Sequence, residues 1–183
     1  MTADPRSLPK TPDGYQAAWS IVENAWATTF ATAGALDGEL LDSSVDREWS
    51  FLETQRHLLF VTDAWITRTV CASVSPYHRL GMPPDHRVGR PDPTVDVSAW
   101  GINVFAPASF DEILEARLDR MTAVRELIAG LSVPFITQTC EQNASPGFPP
   151  STAFPVGFCI DVVIGEEWAH HTFAIRDLAV LTR

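Results

Sequence analysis

Apolar residues recur along this chain at the three- and four-residue spacing of amphipathic helices, in four separate runs. The first extends from Tyr15 to about Leu36, with Trp19, Val22, Trp26 and Phe30 on one face. Thr11 followed by Pro12 marks its start, because proline suits the first helical position. The second opens at Ser50 and continues to about Cys71. Ser50 and Glu53 have capping-box spacing, in which each side chain satisfies a backbone N–H of the other residue. Leu58, Val61 and Trp65 lie on one broad face with His57. The third run repeats the capping signal at Ser109 and Glu112. Its stripe is Ile113, Leu114, Leu118, Met121, Val124, Leu127 and Ile128, with Gly130 near the end. The fourth begins at Pro155 and runs nearly to the C-terminus. Val156, Ile160, Val163, Ile164, Trp168, Ile175, Leu178 and Leu181 dominate it.

Between the second and third runs lies a connection over residues 73–108 that includes MPPDHRVGRPDPT, rich in proline and charge. A connection this long inside a compact domain is uncommon and often functional. NASPGFPPSTAFP joins the third and fourth runs. No β-hairpin is expected, and VDVSAWGINVF holds at most a short strand without a partner. The pattern predicts an all-α protein, an antiparallel four-helix bundle with a long connection between helices 2 and 3, as one domain over residues 1–183.

Composition adds exclusions. Hydrophobic residues make up 45% of the chain and charged residues 20%, an ordinary globular balance. No apolar stretch is long enough for a membrane span. The start MTADPRSLPK has no signal-peptide core, so a soluble, cytoplasmic protein is expected. The formal net charge is −10, and Lys10 is the single lysine among 13 basic residues. Nucleic acid, whose phosphates demand a basic face, and polybasic membrane anchoring are both disfavoured. Cys71, Cys140 and Cys159 lack zinc-ribbon spacing and are read as buried, reduced thiols.

Three polar groups do not fit the apolar pattern. His57 lies among Phe60, Val61 and Ala64 on a face suited to burial. Glu167 and His171 are four apart on the last helix and project from one face, in line with Val163 and Leu178. A buried carboxylate is costly unless paired or metal-bound, and one carboxylate with two imidazoles meets that cost by holding a cation. Spacing alone leaves other readings open. An i,i+4 Glu–His pair is a routine surface interaction, and a lone helical histidine is commonly a boundary residue. The neighbours Glu166 and His170 have the same spacing and lean toward Asp177's side. Arg56 and Arg68 flank the helix of His57 and suit an anionic substrate or pairing with Glu53 or Asp63. His78 and His86 sit in the long connection without an i+4 partner.

EWSFLETQRHLLFVTDAW, Glu48 to Trp65, resembles the second helix of the DinB-like metalloprotein superfamily, and EEWAHHTFAIRDL, Glu166 to Leu178, resembles its ligand-bearing last helix. That superfamily usually has one histidine on the second helix and an H-x-x-x-H pair on the last. This chain has glutamate at the first position of the pair. His57, Glu167 and His171 resemble instead the His, Glu, His set of mycothiol-dependent maleylpyruvate isomerases. The resemblance implies a divalent metal on these three residues, zinc first, with nickel, iron or manganese served by the same ligands. His170 then falls outside the ligand set.

Three ligands leave a tetrahedral ion one open position, the catalytic arrangement. The resemblance assigns that position to the sulfur of a low-molecular-weight thiol. The expected function is a thiol S-transferase or isomerase acting on a thiol and an electrophile, with mycothiol as co-substrate. An arginine- and alanine-rich, lysine-poor composition suits a high-GC actinobacterium, where mycothiol is the thiol. A metal-dependent hydrolase and a non-catalytic, stress-related binding bundle are the alternatives. The apolar faces and six tryptophans leave room for a helix-mediated homodimer.

Overall fold

The computed structural model describes residues 3–84, 86–87, 90–91 and 96–182. Thr11 accepts a hydrogen bond from the Gly14 N–H and so caps α1 (Pro12–Ala33), with Pro12 in the first turn. The chain passes through the single turn α2 (Gly38–Leu41) into α3 (Phe51–Thr62), which opens with both halves of the Ser50–Glu53 capping box. At Asp63 the helix loosens into a π-helical stretch, Asp63–Val70, where the Thr69 hydroxyl bonds the Ala64 carbonyl five residues back. Such widened turns concentrate at functional sites. α4 (Phe110–Ala129) carries the second capping box at Ser109 and Glu112. The short α5 (Val133–Thr137) and the 26-residue α6 (Val156–Leu181) complete the helices.

The four long helices form the expected bundle. α1 packs on α4 and α6, and α3 packs on the same two. Side-chain pairs fix the directions. Tyr15 meets Gly157 and Thr29 meets His171, so α1 and α6 run parallel. Phe51 meets Phe110 and Gln55 meets Arg117, so α3 and α4 also run parallel. The antiparallel neighbours are α1 with α4, through Glu23–Arg125 and Trp26–Arg117, and α3 and its π-helical continuation with α6, through His57–Glu166 and Trp65–Phe158. A parallel α3–α4 pair needs a crossover, because the chain must return along the bundle before α4 starts. That requirement is the physical reason for the long connection.

The connection is not a bare loop. Tyr77, Leu80, Met82, Val97, Ile102, Val104 and Ala106 are buried. Tyr77, Val97, Ile102 and Val104 form a small second core with Phe60 on α3 and Ala64 in the π-helical stretch. VDVSAWGINVF contains a 3-10 turn, Val97–Trp100, rather than a strand. A two-residue antiparallel pair, β1 (His86–Arg87) and β2 (Arg90–Pro91), stands where no hairpin was expected. The rest of the proline-rich stretch, residues 85, 88–89 and 92–95, lies outside the described residues.

The predicted stripes bury as the spacing requires at Trp19, Val22, Trp26, Met121, Val124, Val163 and Leu178. Leu118 and Ile175 are exposed instead, one helical step outside the seams. Cys140 and Cys159 are buried free thiols, whereas Cys71, just past the π-helical stretch, is exposed. Among the described residues no helix is long and apolar enough to cross a membrane.

Candidate metal site

One group of metal-competent side chains converges among the described residues: His57 on α3 with Glu166 and His170 on α6. Their donor atoms all lie within 4.8 Å of one another. Nε2 of His57 is 3.7 Å from Oε2 of Glu166, and Nε2 of His170 is 3.3 Å from the same oxygen. Tetrahedral zinc, with bonds of about 2.0–2.2 Å, separates its ligand atoms by roughly 3.3–3.5 Å. The two separations from Glu166 are thus within a few tenths of an ångström of that spacing.

The environment of His57 points the same way. The residue is buried, and its Nδ1 lies 3.0 Å from the carbonyl oxygen of Met82 in the long connection. A carbonyl only accepts, so Nδ1 carries the proton and Nε2 of the neutral ring presents a lone pair to the cluster. Burial pushes the His57 pKa down, favouring that neutral form. Hydrogen bonding by His170 is the largest of the effects that lower the Glu166 carboxyl to about 2, so it is ionised at neutral pH. A lone pair and a carboxylate lie side by side here, and this donor set suits a divalent metal.

The expected set of His57, Glu167 and His171 is not the one brought together. Glu167 is fully buried, and both its oxygens are taken by Arg117 of α4, at 2.9 and 2.7 Å. Arg117 is equally buried and also donates to Gln55 Oε1 at 3.1 Å. Nε2 of His171 lies 2.9 Å from the Thr29 hydroxyl, and its ring packs against Trp26 of α1. The reason is helical phase. Val163, Glu167, Ala174 and Leu178 follow the line that points into the bundle. Glu166, His170, Phe173 and Asp177 follow the adjacent line, toward α3 and the chain before it. The cation that Glu167 requires is a guanidinium already present in the core. Arg117 stands among Ile113, Met121 and Val124 on the buried stripe of α4, a charged residue at an apolar position and so a readable signal.

The arginines flanking His57 also have other partners than expected. Arg56 is buried and donates to the carbonyls of Leu80 and Asn103, clamping the long connection to α3. Arg68 is buried and donates to the carbonyls of Pro149 and Ser145. Asp63 pairs with Arg120 at 2.5 Å and accepts from the His78 N–H. His78 is half-buried, its Nδ1 accepting from the Leu80 N–H, and it takes no part in the cluster. The side chain of His86 lies outside the described residues.

Trp49, immediately before the capping serine of α3, roofs the cluster. Its ring meets His57 edge-on at 4.4 Å and lies parallel to His170 at 5.8 Å between centroids. Asp46 and Arg47, just before it, both adopt left-handed backbone conformations, with φ of 52° and 64°. Consecutive non-glycine residues of this kind are strained and cluster at binding sites. Beside Trp49 opens a cleft of about 520 Å³ lined by Glu48, Trp49, Thr54, Pro84, His170, Phe173 and Asp177. It brings the surface directly to His170.

The sequence matches the DinB superfamily over residues 21–174, and the chain belongs to that superfamily, a metal-binding one. The match covers α1 from Ile21, all of α3 and α4, and α6 through the cluster. No curated protein and no solved structure matches the chain.

Proposed function

We propose that this chain is a metal-dependent thiol S-transferase or isomerase, with His57 Nε2, Glu166 and His170 Nε2 as the ligands of a divalent ion, zinc first. The observation that carries the reading is the convergence of those three donors beside an open cleft, with His57 already held in the ligand tautomer by the Met82 carbonyl. Glu166 and His170 repeat, one residue earlier, the Glu-x-x-x-His spacing that resembles the mycothiol-dependent isomerases. That resemblance supports a low-molecular-weight thiol, mycothiol among them, as co-substrate, and a cytoplasmic setting.

A divalent ion held by His57, Glu166 and His170 would supply Lewis acidity that favours the thiolate form of a thiol. The protein's own groups do the rest. Glu166 brings one negative charge to the site, so the ligand set and a divalent ion together keep a net positive charge for a thiolate. Met82 and the buried Arg56 hold the connection against α3 and fix the His57 ring. Trp49 covers one side of the imidazoles and keeps water from that face. The cleft orients the second substrate against the remaining side.

The test combines metal analysis of the purified protein with loss of free mycothiol against a generic electrophile, for wild type, His57→Ala and Glu166→Gln. Stoichiometric metal and thiol-dependent turnover in wild type alone are expected. Turnover that proceeds equally without thiol would assign hydrolysis instead. Strongly substoichiometric metal with unchanged rates in the variants would leave a non-catalytic binding bundle.

A further inference from the structure

The cleft beside the cluster has a charge pattern that the metal site alone does not require. Glu48 and Asp177 line it together with the rings of Trp49 and Phe173, and no lysine or arginine lines it among the described residues. Asp177 is buried, with only 6% of its surface exposed. One cation, Arg176, serves both carboxylates from the rim. It donates Nε to Asp177 Oδ1 at 2.7 Å and Nη2 to Glu48 Oε2 at 2.5 Å. Its guanidinium carbon also sits 5.4 Å from the centroid of the Phe173 ring. The protein thus seats one of its own cations by two carboxylates and an aromatic face, the elements that recognise a basic ligand. Among the described residues, Oε1 of Glu48 and Oδ2 of Asp177 accept no hydrogen bond.

We infer that this cleft selects substrates carrying a basic amine, with Glu48 and Asp177 binding the ammonium group and Trp49 and Phe173 flanking it. Phe173, Asp177 and His170 lie on one line of α6, so an ammonium held at Asp177 points the remainder of its molecule along the helix toward the cluster. Among the described residues, the two carboxylates outweigh the one guanidinium by one charge, which disfavours an anionic group between them. Arg176 then acts as a competing internal cation. Its exposure lets it swing off the carboxylates when a ligand amine arrives. The inference rests on the thiol reading for the kind of molecule that reaches the cluster, but not for where its charged group binds.

Calorimetry on zinc-loaded protein tests it with three thiols of similar size and different charge: cysteamine, mercaptoethanol and mercaptopropionate. Propylamine, propanol and propionate form a parallel set without sulfur. One ammonium–carboxylate contact with an aromatic neighbour gives cysteamine roughly tenfold tighter binding than mercaptopropionate. Asp177→Asn should erase that preference. Arg176→Gln should increase it by removing the competitor, a direction that a merely structural role for Arg176 does not produce. Thermal melts of both variants check that the bundle is intact. Equal affinities across the charged series, or a preference for the anion, would overturn the inference while leaving the thiol reading in place. If propylamine binds and no thiol does, the amine site stands and the thiol reading falls.

Discussion

Replacing Glu167 and replacing Glu166 should have opposite consequences. Glu167 and Arg117 are both fully buried and joined by two short hydrogen bonds. Removing one member of such a pair leaves an uncompensated charge in the core and costs about 3–5 kcal/mol. For 183 residues the unfolding entropy near the midpoint is about 0.4 kcal/mol per kelvin, so Glu167→Ala should lower Tm by about 8–13 °C. Gln55 adds to the loss, because its Oε1 accepts from Arg117 and its Nε2 already lacks a partner among the described residues. Replacing both charges at once, Arg117→Met with Glu167→Met, should recover most of the stability, since well-packed apolar pairs commonly equal buried ion pairs. Glu166 is about two-fifths exposed and paired only with histidines, so Glu166→Gln should shift the metal-free melt by less than about 1 kcal/mol. The assay is calorimetric unfolding in excess chelator, beside metal stoichiometry without it. Glu167→Ala should keep its metal stoichiometry at temperatures where it is folded, and Glu166→Gln should lose it. The opposite pattern, metal lost with Glu167 at an unchanged chelated Tm, would refute the helical-phase argument and return Glu167 to the ligand set.

Three further outcomes follow from the same geometry. The depressed Glu166 pKa makes its ionised form stabilising above the ordinary value of 4.5, and that contribution disappears as pH falls to about 2. In metal-free protein, the stability difference between wild type and Glu166→Gln should therefore shrink as pH falls from 4.5 toward 2. A difference that does not shrink over that range would contradict the assignment. Ser50→Ala removes the Oγ that accepts from the Glu53 N–H, and urea unfolding should show a loss of about 1 kcal/mol; a neutral result would mean the cap is replaced by water. Gly147 has φ of 152°, and an added Cβ would lie 2.3 Å from the Tyr77 hydroxyl. Gly147→Ala should cost at least about 1–3 kcal/mol, and Tyr77→Phe should recover part of it by removing that oxygen. Absence of any recovery in the double variant would leave the cost to the backbone conformation and to Arg68 Nε and Tyr77 Cε2, which lie 2.8 and 2.9 Å from the added Cβ.

The sequence by itself determined the helices. Thr11–Pro12, the two capping boxes and the spacing of Trp19, Val22 and Trp26 are local signals, and the structure places the four long helices within a few residues of them. That His57 would have polar company was also legible, because an imidazole on an apolar face needs a polar partner somewhere, and it lies in the candidate cluster. Which of two adjacent Glu–His pairs meets it was not. Along α6, Glu166 and Glu167 differ by about 100° of rotation, and sequence periodicity shows which one faces the core, not what the core already contains. Only the packing of α4 against α3 and α1 revealed Arg117 opposite Glu167, which turned the core-facing carboxylate into an internal ion pair. The same packing left Glu166 and His170 for His57. The Met82 carbonyl, Trp49 and the Glu48–Arg176–Asp177 arrangement come from segments distant in the chain. Their meeting depends on the direction in which α3 and α4 run, and that direction is a property of the assembled bundle rather than of any one helix.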